Sequence, residues 1–145
     1  MDAADFITLS GKLVSMGKSG ARSAVSRAYY GAFHVARAVL IDLASESCGS
    51  GKAHNLVPLY LGSANHPDAS VAANLLSDLH ANRIKADYSL DLARAESQPF
   101  ATHGVETAHE IQRRLILFRA ACEQDVELRG RLRDGIARIK AAFGT

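Results

Sequence analysis

Apolar positions along this chain recur with the period of an α-helix almost throughout. Apolar side chains return every three or four residues, as on one helix face, and no segment shows the strict alternation that is typical of a strand. Runs rich in glycine, serine and proline interrupt the pattern. The pattern predicts helices over about residues 2–16, 21–47, 55–61, 69–88, 102–122 and 125–143.

The predicted helices form one all-α domain over residues 1–145, folded as a single antiparallel helical bundle. A chain of 145 residues is long enough to bury a substantial core. We expect residues 17–20 to break the chain and Thr102 to cap the fifth helix. The first helix is expected to bury Phe6, Leu9, Leu13 and Met16, and the fifth to bury Val105, Ala108, Ile111, Leu115 and Phe118.

The second predicted helix has two faces of different character. An apolar stripe is expected to enter the core and contains Tyr29, Phe33, Ala36 and Leu40. A second stripe carries donors, acceptors and positive charge and contains Arg27, Tyr30, His34 and Arg37. We expect this polar stripe to face a partner helix, a cleft or a ligand. The alternative is a half-buried face whose polar groups are satisfied by neighbouring residues.

A second group of polar residues lies in the segment Arg83-Ile-Lys-Ala-Asp-Tyr88. Arg83 and Asp87 are four residues apart, so they can form an ion pair on one helix face. Tyr88 follows directly. Such a pair by itself is more typical of a helix surface than of a functional site.

Composition is ordinary for a globular protein, with 48% hydrophobic and 22% charged residues and a net charge of +2. This charge permits nucleic-acid contact without indicating it. No apolar run approaches the roughly 20 residues that span a bilayer, so we expect no membrane insertion. The acidic N-terminus is unlike a secretory leader. We therefore expect a cytoplasmic protein with reduced thiols at Cys48 and Cys122, a disulfide between them being the alternative.

Several familiar motifs are incomplete in this sequence. Gly17-Lys18-Ser19 lacks both the earlier glycine and the preceding strand of a phosphate-binding loop. His109-Glu110 is followed by Arg113 where a zinc-binding helix needs a second histidine. We therefore expect no metal site and no cofactor.

Together, Ser26-Arg-Ala-Tyr-Tyr-Gly-Ala-Phe-His34 and the later Arg83-x-x-Ala-Asp-Tyr88 resemble the HEPN family of small all-α domains. The similarity is to the stand-alone bacterial and archaeal members, and it covers roughly residues 5–122. The resemblance implies a bundle of four main helices plus short extra helices. It also implies a homodimer.

The resemblance further implies an association with RNA. Many HEPN proteins are metal-independent ribonucleases whose cleft lies at the dimer interface and uses an arginine followed four to six residues later by a histidine. Others are toxins whose antitoxin is a minimal nucleotidyltransferase, and some members only bind or scaffold. This chain departs from the pattern, because the first histidine after Arg83 is His103.

The sequence therefore leaves two hypotheses. In the first, a toxin-type endoribonuclease uses His34, Arg83 and Tyr88 in catalysis, while Arg27, Tyr30, Arg37 and Asp87 bind the substrate. This requires the second helix and the Arg83 segment to face one cleft, and an apolar or ion-paired His34 would argue against it. In the second, the protein is an inactive binding or regulatory module that docks a partner such as a nucleotidyltransferase.

Overall fold

The computed structural model describes residues 2–49 and 51–143, which form helices joined by short connections. The α-helices are α1 (Ala3–Leu13), α2 (Gly17–Ala44), α3 (Ala53–Gly62), α4 (Pro67–Tyr88), α5 (Gln98–Gln124) and α6 (Val126–Phe143). A short 3₁₀ helix, Ala93–Glu96, lies between α4 and α5. The described residues contain no strand. The predicted all-α class is confirmed.

Two predicted helix boundaries are wrong. Residues 17–20 do not break the chain, because α2 already begins at Gly17, whose positive φ of 77° makes the turn out of α1. Thr102 lies inside α5. That helix begins at Gln98, where the Ser97 hydroxyl accepts a hydrogen bond from the backbone N–H of Phe100 at 3.2 Å.

Helix α2 is the centre of the fold and contacts α1, α4 and α5 along its length. Its predicted apolar stripe is confirmed, since Tyr29, Phe33, Ala36 and Leu40 are all buried. The five residues predicted to be buried on α5 are buried as well. These faces are long and strongly periodic, which is why their sequence pattern was sufficient to identify them.

The predicted inner face of α1 is wrong in part, although Leu13 packs against the core as predicted. Ile7 and Ser10 are buried, whereas Leu9 and Met16 are exposed. The reason is the close approach of α1 to α2 at Gly31, where a Cβ atom on that residue would lie 2.6 Å from Cγ1 of Ile7. The missing side chain of Gly31 therefore selects the face of α1 that packs inward.

The C-terminal end of α4 is fixed by the guanidinium of Arg22 on α2. Its nitrogens donate to carbonyl oxygens at and beyond that end, namely those of Lys85, Ala86, Ser89, Leu90 and Leu92. Nε and Nη2 also bond the carboxylate of Glu96, at 3.3 and 3.1 Å. Arg22 thereby satisfies carbonyls that a helix end leaves without partners, and it holds the segment that carries Arg83.

None of the described helices has both the length and the apolar character needed to cross a membrane.

Candidate functional site

The polar stripe of α2 meets α4 through Tyr30 and Arg83. Nη2 of Arg83 donates a hydrogen bond of 2.7 Å to the Tyr30 hydroxyl, across 53 residues of sequence. The guanidinium carbon also lies 5.0 Å from the centre of the Tyr30 ring, within the range of a cation–π contact. The Tyr30 side chain of α2 and the Arg83 segment of α4 are therefore in direct contact.

Asp87 neutralises part of the Arg83 charge. Its Oδ2 lies 2.9 Å from Nε of Arg83, which confirms the predicted ion pair, and it accepts a hydrogen bond from the Ser26 hydroxyl at 3.3 Å. Nε of Arg83 is buried and lies outside hydrogen-bond geometry toward any described residue. Nη1 has no hydrogen bond within residues 2–49 and 51–143 either. Arg83 thus uses one of its three nitrogens in a hydrogen bond to the described chain.

Tyr88 lies at the outer edge of the same group. The residue is 70% exposed, and the guanidinium carbon of Arg83 lies 5.8 Å from the ring centre. An exposed aromatic face beside a guanidinium is a surface on which a nucleotide base can stack.

His34 lies half-buried among aromatic rings, next to Tyr30, and this largely apolar environment counts against the catalytic hypothesis. Its ring is 6.0 Å from that of Phe6, 6.5 Å from that of Tyr30 and 5.5 Å from that of Phe33. Burial, and to a smaller extent the charge of Arg37, lower the pKa of His34 below its usual 6.5. Its imidazole is therefore neutral at pH 7 and has a nitrogen that can accept a proton.

Arg37 binds the loop after α2 rather than the group around Arg83. Arg27 is exposed on α2. The guanidinium of Arg37 donates two hydrogen bonds, of 3.1 and 2.7 Å, to the carbonyl of Ser47 and lies over the Phe33 ring. Arg37 thus closes the loop after α2, while its charge still reaches the nearby histidines.

Three further residues of the site were not predicted: Tyr29, His54 and His80. The Tyr29 hydroxyl is 2.6 Å from Nδ1 of His54. The His80 ring stacks on Tyr29 at 4.9 Å and on His54 at 5.2 Å. Tyr29 was predicted only as an apolar core residue. Its buried hydroxyl also forms a hydrogen bond with His54.

The pKa values of His54 and His80 are lowered as well. Burial is the main cause for both. For His54 the charge of Arg83 comes next, and for His80 the charge of His54 does. Burial raises the pKa of Tyr29 above its usual 10. The site is therefore a row of neutral rings beside one guanidinium.

A weak sequence signal for His80 existed, and none existed for His54. His80 lies three residues before Arg83 and so shares its helix face. His54 is on another helix, far from both groups in sequence, and only the packing of α3 brings it to Tyr29.

The site is a surface patch between helices. In the part of the chain that the structure describes, no three His, Cys, Asp or Glu side chains are arranged to hold a metal ion. A groove of about 640 Å³ lies between α3, α4 and α6, and its lining includes none of the predicted site residues. We place the candidate site at Arg83, rather than in this groove, because polar and titratable side chains cluster around Arg83.

Comparison with known proteins identifies no relative: no family model matches the chain, and no curated protein or solved structure is significantly similar to it.

Proposed function

We propose that this protein is a HEPN-type RNA-binding protein that cleaves RNA without a metal ion. The observation that carries the proposal is the Tyr30–Arg83 hydrogen bond, which joins both halves of the resemblance at one place beside His34. Nε of Arg83 is buried against Asp87, but Nη1 is unbonded to the described chain and can donate to an oxygen of a phosphodiester.

RNA recognition divides between the charge of Arg83 and the exposed ring of Tyr88. Arg83 contacts one phosphate, and Tyr30 keeps the guanidinium in place through its hydroxyl and its ring face. The exposed Tyr88 ring stacks on an adjacent base. These contacts select a single strand, because the faces of a base inside a duplex are already stacked on neighbouring base pairs.

His34 is the general base of the proposed reaction. It takes the proton of a ribose 2′-hydroxyl, and the 2′-oxygen forms a bond to phosphorus while the bond from phosphorus to the 5′-oxygen breaks. The leaving 5′-oxygen takes its proton from water, and His34 later returns its own proton to water. The products are a 2′,3′-cyclic phosphate and a 5′-hydroxyl. Arg83 stabilises the negative charge that develops on the phosphate oxygens.

The resemblance implies that this site works in a homodimer. Ile116 and Leu117 are exposed large apolar side chains of α5 and offer a surface for such a contact. Light scattering of the purified protein tests this separately from activity.

The test is incubation of the purified protein with labelled tRNA and mRNA transcripts in EDTA. We expect cleavage that leaves 2′,3′-cyclic phosphate ends and that is lost in His34→Gln and Arg83→Gln. His103→Gln and Arg131→Gln, at exposed positions of α5 and α6, are the matched controls and should cleave as the wild type does. Intact RNA from a folded protein, or equal cleavage by all variants, contradicts the proposal.

A second candidate function is the inactive docking module. Two observations favour it: Asp87 already neutralises Arg83, and His34 packs on aromatic rings. A protein partner, including a nucleotidyltransferase, would then cover the same surface. Unchanged RNA in the cleavage experiment, with tight and Arg83-dependent binding of a co-expressed nucleotidyltransferase, supports this candidate instead.

A further inference from the structure

The hydrogen bond between Tyr29 and His54 has no part in the proposed cleavage step. Tyr29 is fully buried, so leaving its hydroxyl without a partner would cost about 1–3 kcal/mol. Within the described residues, Nδ1 of His54 is the hydrogen-bond partner of that hydroxyl, at 2.6 Å. Because burial raises the pKa of Tyr29, the phenol keeps its proton and donates it to Nδ1.

This donation determines which nitrogen of His54 carries the ring proton. A neutral imidazole that accepts at Nδ1 has its hydrogen on Nε2. A charged imidazolium would have hydrogens on both nitrogens and could not accept from Tyr29. The position of His54 in the first turn of α3 also disfavours the charged ring.

The ring of His54 is clamped next to the Tyr30–Arg83 pair. Phe33 stacks on it at 4.6 Å and His80 at 5.2 Å, and the ring of Tyr30 meets it edge-on at 6.4 Å. The charged groups that act on it are Arg83, Arg37 and, when protonated, His34. His54 keeps partial exposure in this position. His54 therefore packs on the Tyr30 ring, which in turn contacts Arg83.

We propose that His54 is a second ligand of the RNA phosphate, a neutral imidazole whose Nε2–H donates to a phosphate oxygen and whose tautomer is set by Tyr29. The inference rests on the proposed function, since its ligand is the phosphate that Arg83 binds. It assigns to His54 the role of a hydrogen-bond donor and leaves the role of the base to His34. The neutral ring lets the site hold a second donor beside Arg83 without charge repulsion between them.

The tautomer is tested in the free protein by two-bond ¹H–¹⁵N correlation NMR of the histidine rings at pH 7. We expect the pattern of a neutral ring protonated at Nε2 for His54, and an upfield or downfield change at its ring nitrogens when labelled tRNA transcript is added. Tyr29→Phe should convert His54 to a mixture of tautomers and raise its pKa, because the donor to Nδ1 is gone. A ring protonated at Nδ1 in the wild type overturns the inference.

The donor role is tested by RNA binding of two substitutions that differ in where they place an amide N–H. Glutamine positions its amide nitrogen near Nε2 of histidine, and asparagine positions it near Nδ1. We expect His54→Gln to bind tRNA transcript like the wild type and His54→Asn to bind it about tenfold more weakly, as for the loss of one hydrogen bond to a charged group. His103→Gln and His103→Asn are the controls. Equal affinity of both His54 variants, whether kept or lost, overturns the inference.

Failure of this inference is distinguishable from failure of the proposed function. If RNA binding depends on Arg83 while the two His54 variants behave alike and the His54 resonances do not move, the donor role is wrong and the RNA site stands. If the wild type binds no RNA and Arg83→Gln changes nothing, the proposed function is wrong, and the assignment of a phosphate to His54 is wrong with it. If His54→Asn does not fold, the response of the wild-type His54 resonances to RNA decides.

Discussion

Arg22 and Arg83 are two largely buried arginines at the α2–α4 contact, and they differ in how many hydrogen bonds they make to the protein. The side chain of Arg22 is 11% exposed and that of Arg83 is 14% exposed. Every nitrogen of Arg22 is hydrogen-bonded to the protein, chiefly to backbone carbonyls. Arg83 has one such bond, to Tyr30, together with an ion pair to Asp87.

The number of guanidinium nitrogens already bonded to the protein distinguishes a structural arginine from a candidate binding arginine of equal burial. A guanidinium that satisfies orphaned carbonyls at a helix end has no donor left for a ligand, so its loss damages the fold. A guanidinium with donors to spare, held by an aromatic ring and beside neutral histidines, keeps capacity for a further acceptor. Burial alone would rank the two arginines together.

The variant with the largest expected effect is Arg22→Met, which should lower the stability of the fold. We expect the free energy of unfolding to fall by about 3 kcal/mol, because several carbonyls and Glu96 lose their partner in a buried place. Thermal denaturation should show a midpoint roughly 10 °C lower. Lys18→Met is the matched control, since Lys18 also pairs with Glu96 but its side chain is 83% exposed. Equal losses in both variants would contradict the structural role of Arg22.

Arg83→Gln should show the opposite balance, with a nearly intact fold and weaker RNA binding. We expect affinity for a single-stranded RNA to drop about tenfold or more, as when one charge-assisted hydrogen bond is removed. A plot of log affinity against log salt should also become shallower by roughly 0.7, the value for one phosphate contact. Filter binding at several salt concentrations measures both. A large loss of stability with unchanged salt dependence would make Arg83 a second Arg22.

The sites of Arg22 and Arg83 should also differ in their response to pH. The charge of Arg83 acts on His54 and His80, whereas no histidine among the described residues contacts Arg22. The pKa of His80 is lowered from 6.5 in the folded state, so the unfolded chain binds its proton first as pH falls. Stability from this group is therefore fully present above about pH 6.5 and is lost progressively below it, with a slope of at most about 1.4 kcal/mol per pH unit. The pKa values of His34 and His54 are also lowered, so these two groups likewise make the folded state less stable as the pH falls.

Urea unfolding of the wild type and of His80→Gln between pH 5.5 and 7.5 measures this slope. The variant should show a flatter dependence of the free energy of unfolding on pH. His103→Gln, an exposed position on α5, should leave the slope of the wild type unchanged. A steeper slope in His80→Gln would mean that folding raises, rather than lowers, the pKa of His80.

The smallest expected effect comes from Asp87→Asn, which removes the charge that neutralises Arg83 and keeps the shape of the side chain. The Asp87 carboxylate repels a phosphate bound by Arg83. At a separation of about 6 Å in a solvated site, this repulsion between two unit charges amounts to ~0.7 kcal/mol. RNA affinity should therefore rise about threefold at low salt. Asp78→Asn, at an exposed position of the same helix, is the control. If Asp87→Asn weakens binding instead, Asp87 serves to orient Arg83 more than to oppose the phosphate.

Local pattern was enough to predict most of the helices and much of the core. The buried faces of α2 and α5 follow a period that repeats over many turns, so errors at single positions do not matter. The Arg83–Asp87 pair was predictable because a helix places residues four apart side by side. The short helix α1 was harder, because its inner face was selected by a gap at Gly31 on another helix.

The sequence by itself therefore determined the all-α class, the two stripes of α2 and the ion pair on α4, because each depends on residues within a few turns of one helix. Only the tertiary structure decided that Tyr30 meets Arg83, 53 residues away, and that Tyr29 meets His54, 25 residues away. The rotation and register of packed helices follow from the sum of many small contacts. The pattern within one helix does not determine these contacts between helices, so the candidate site could be identified only from the packed structure.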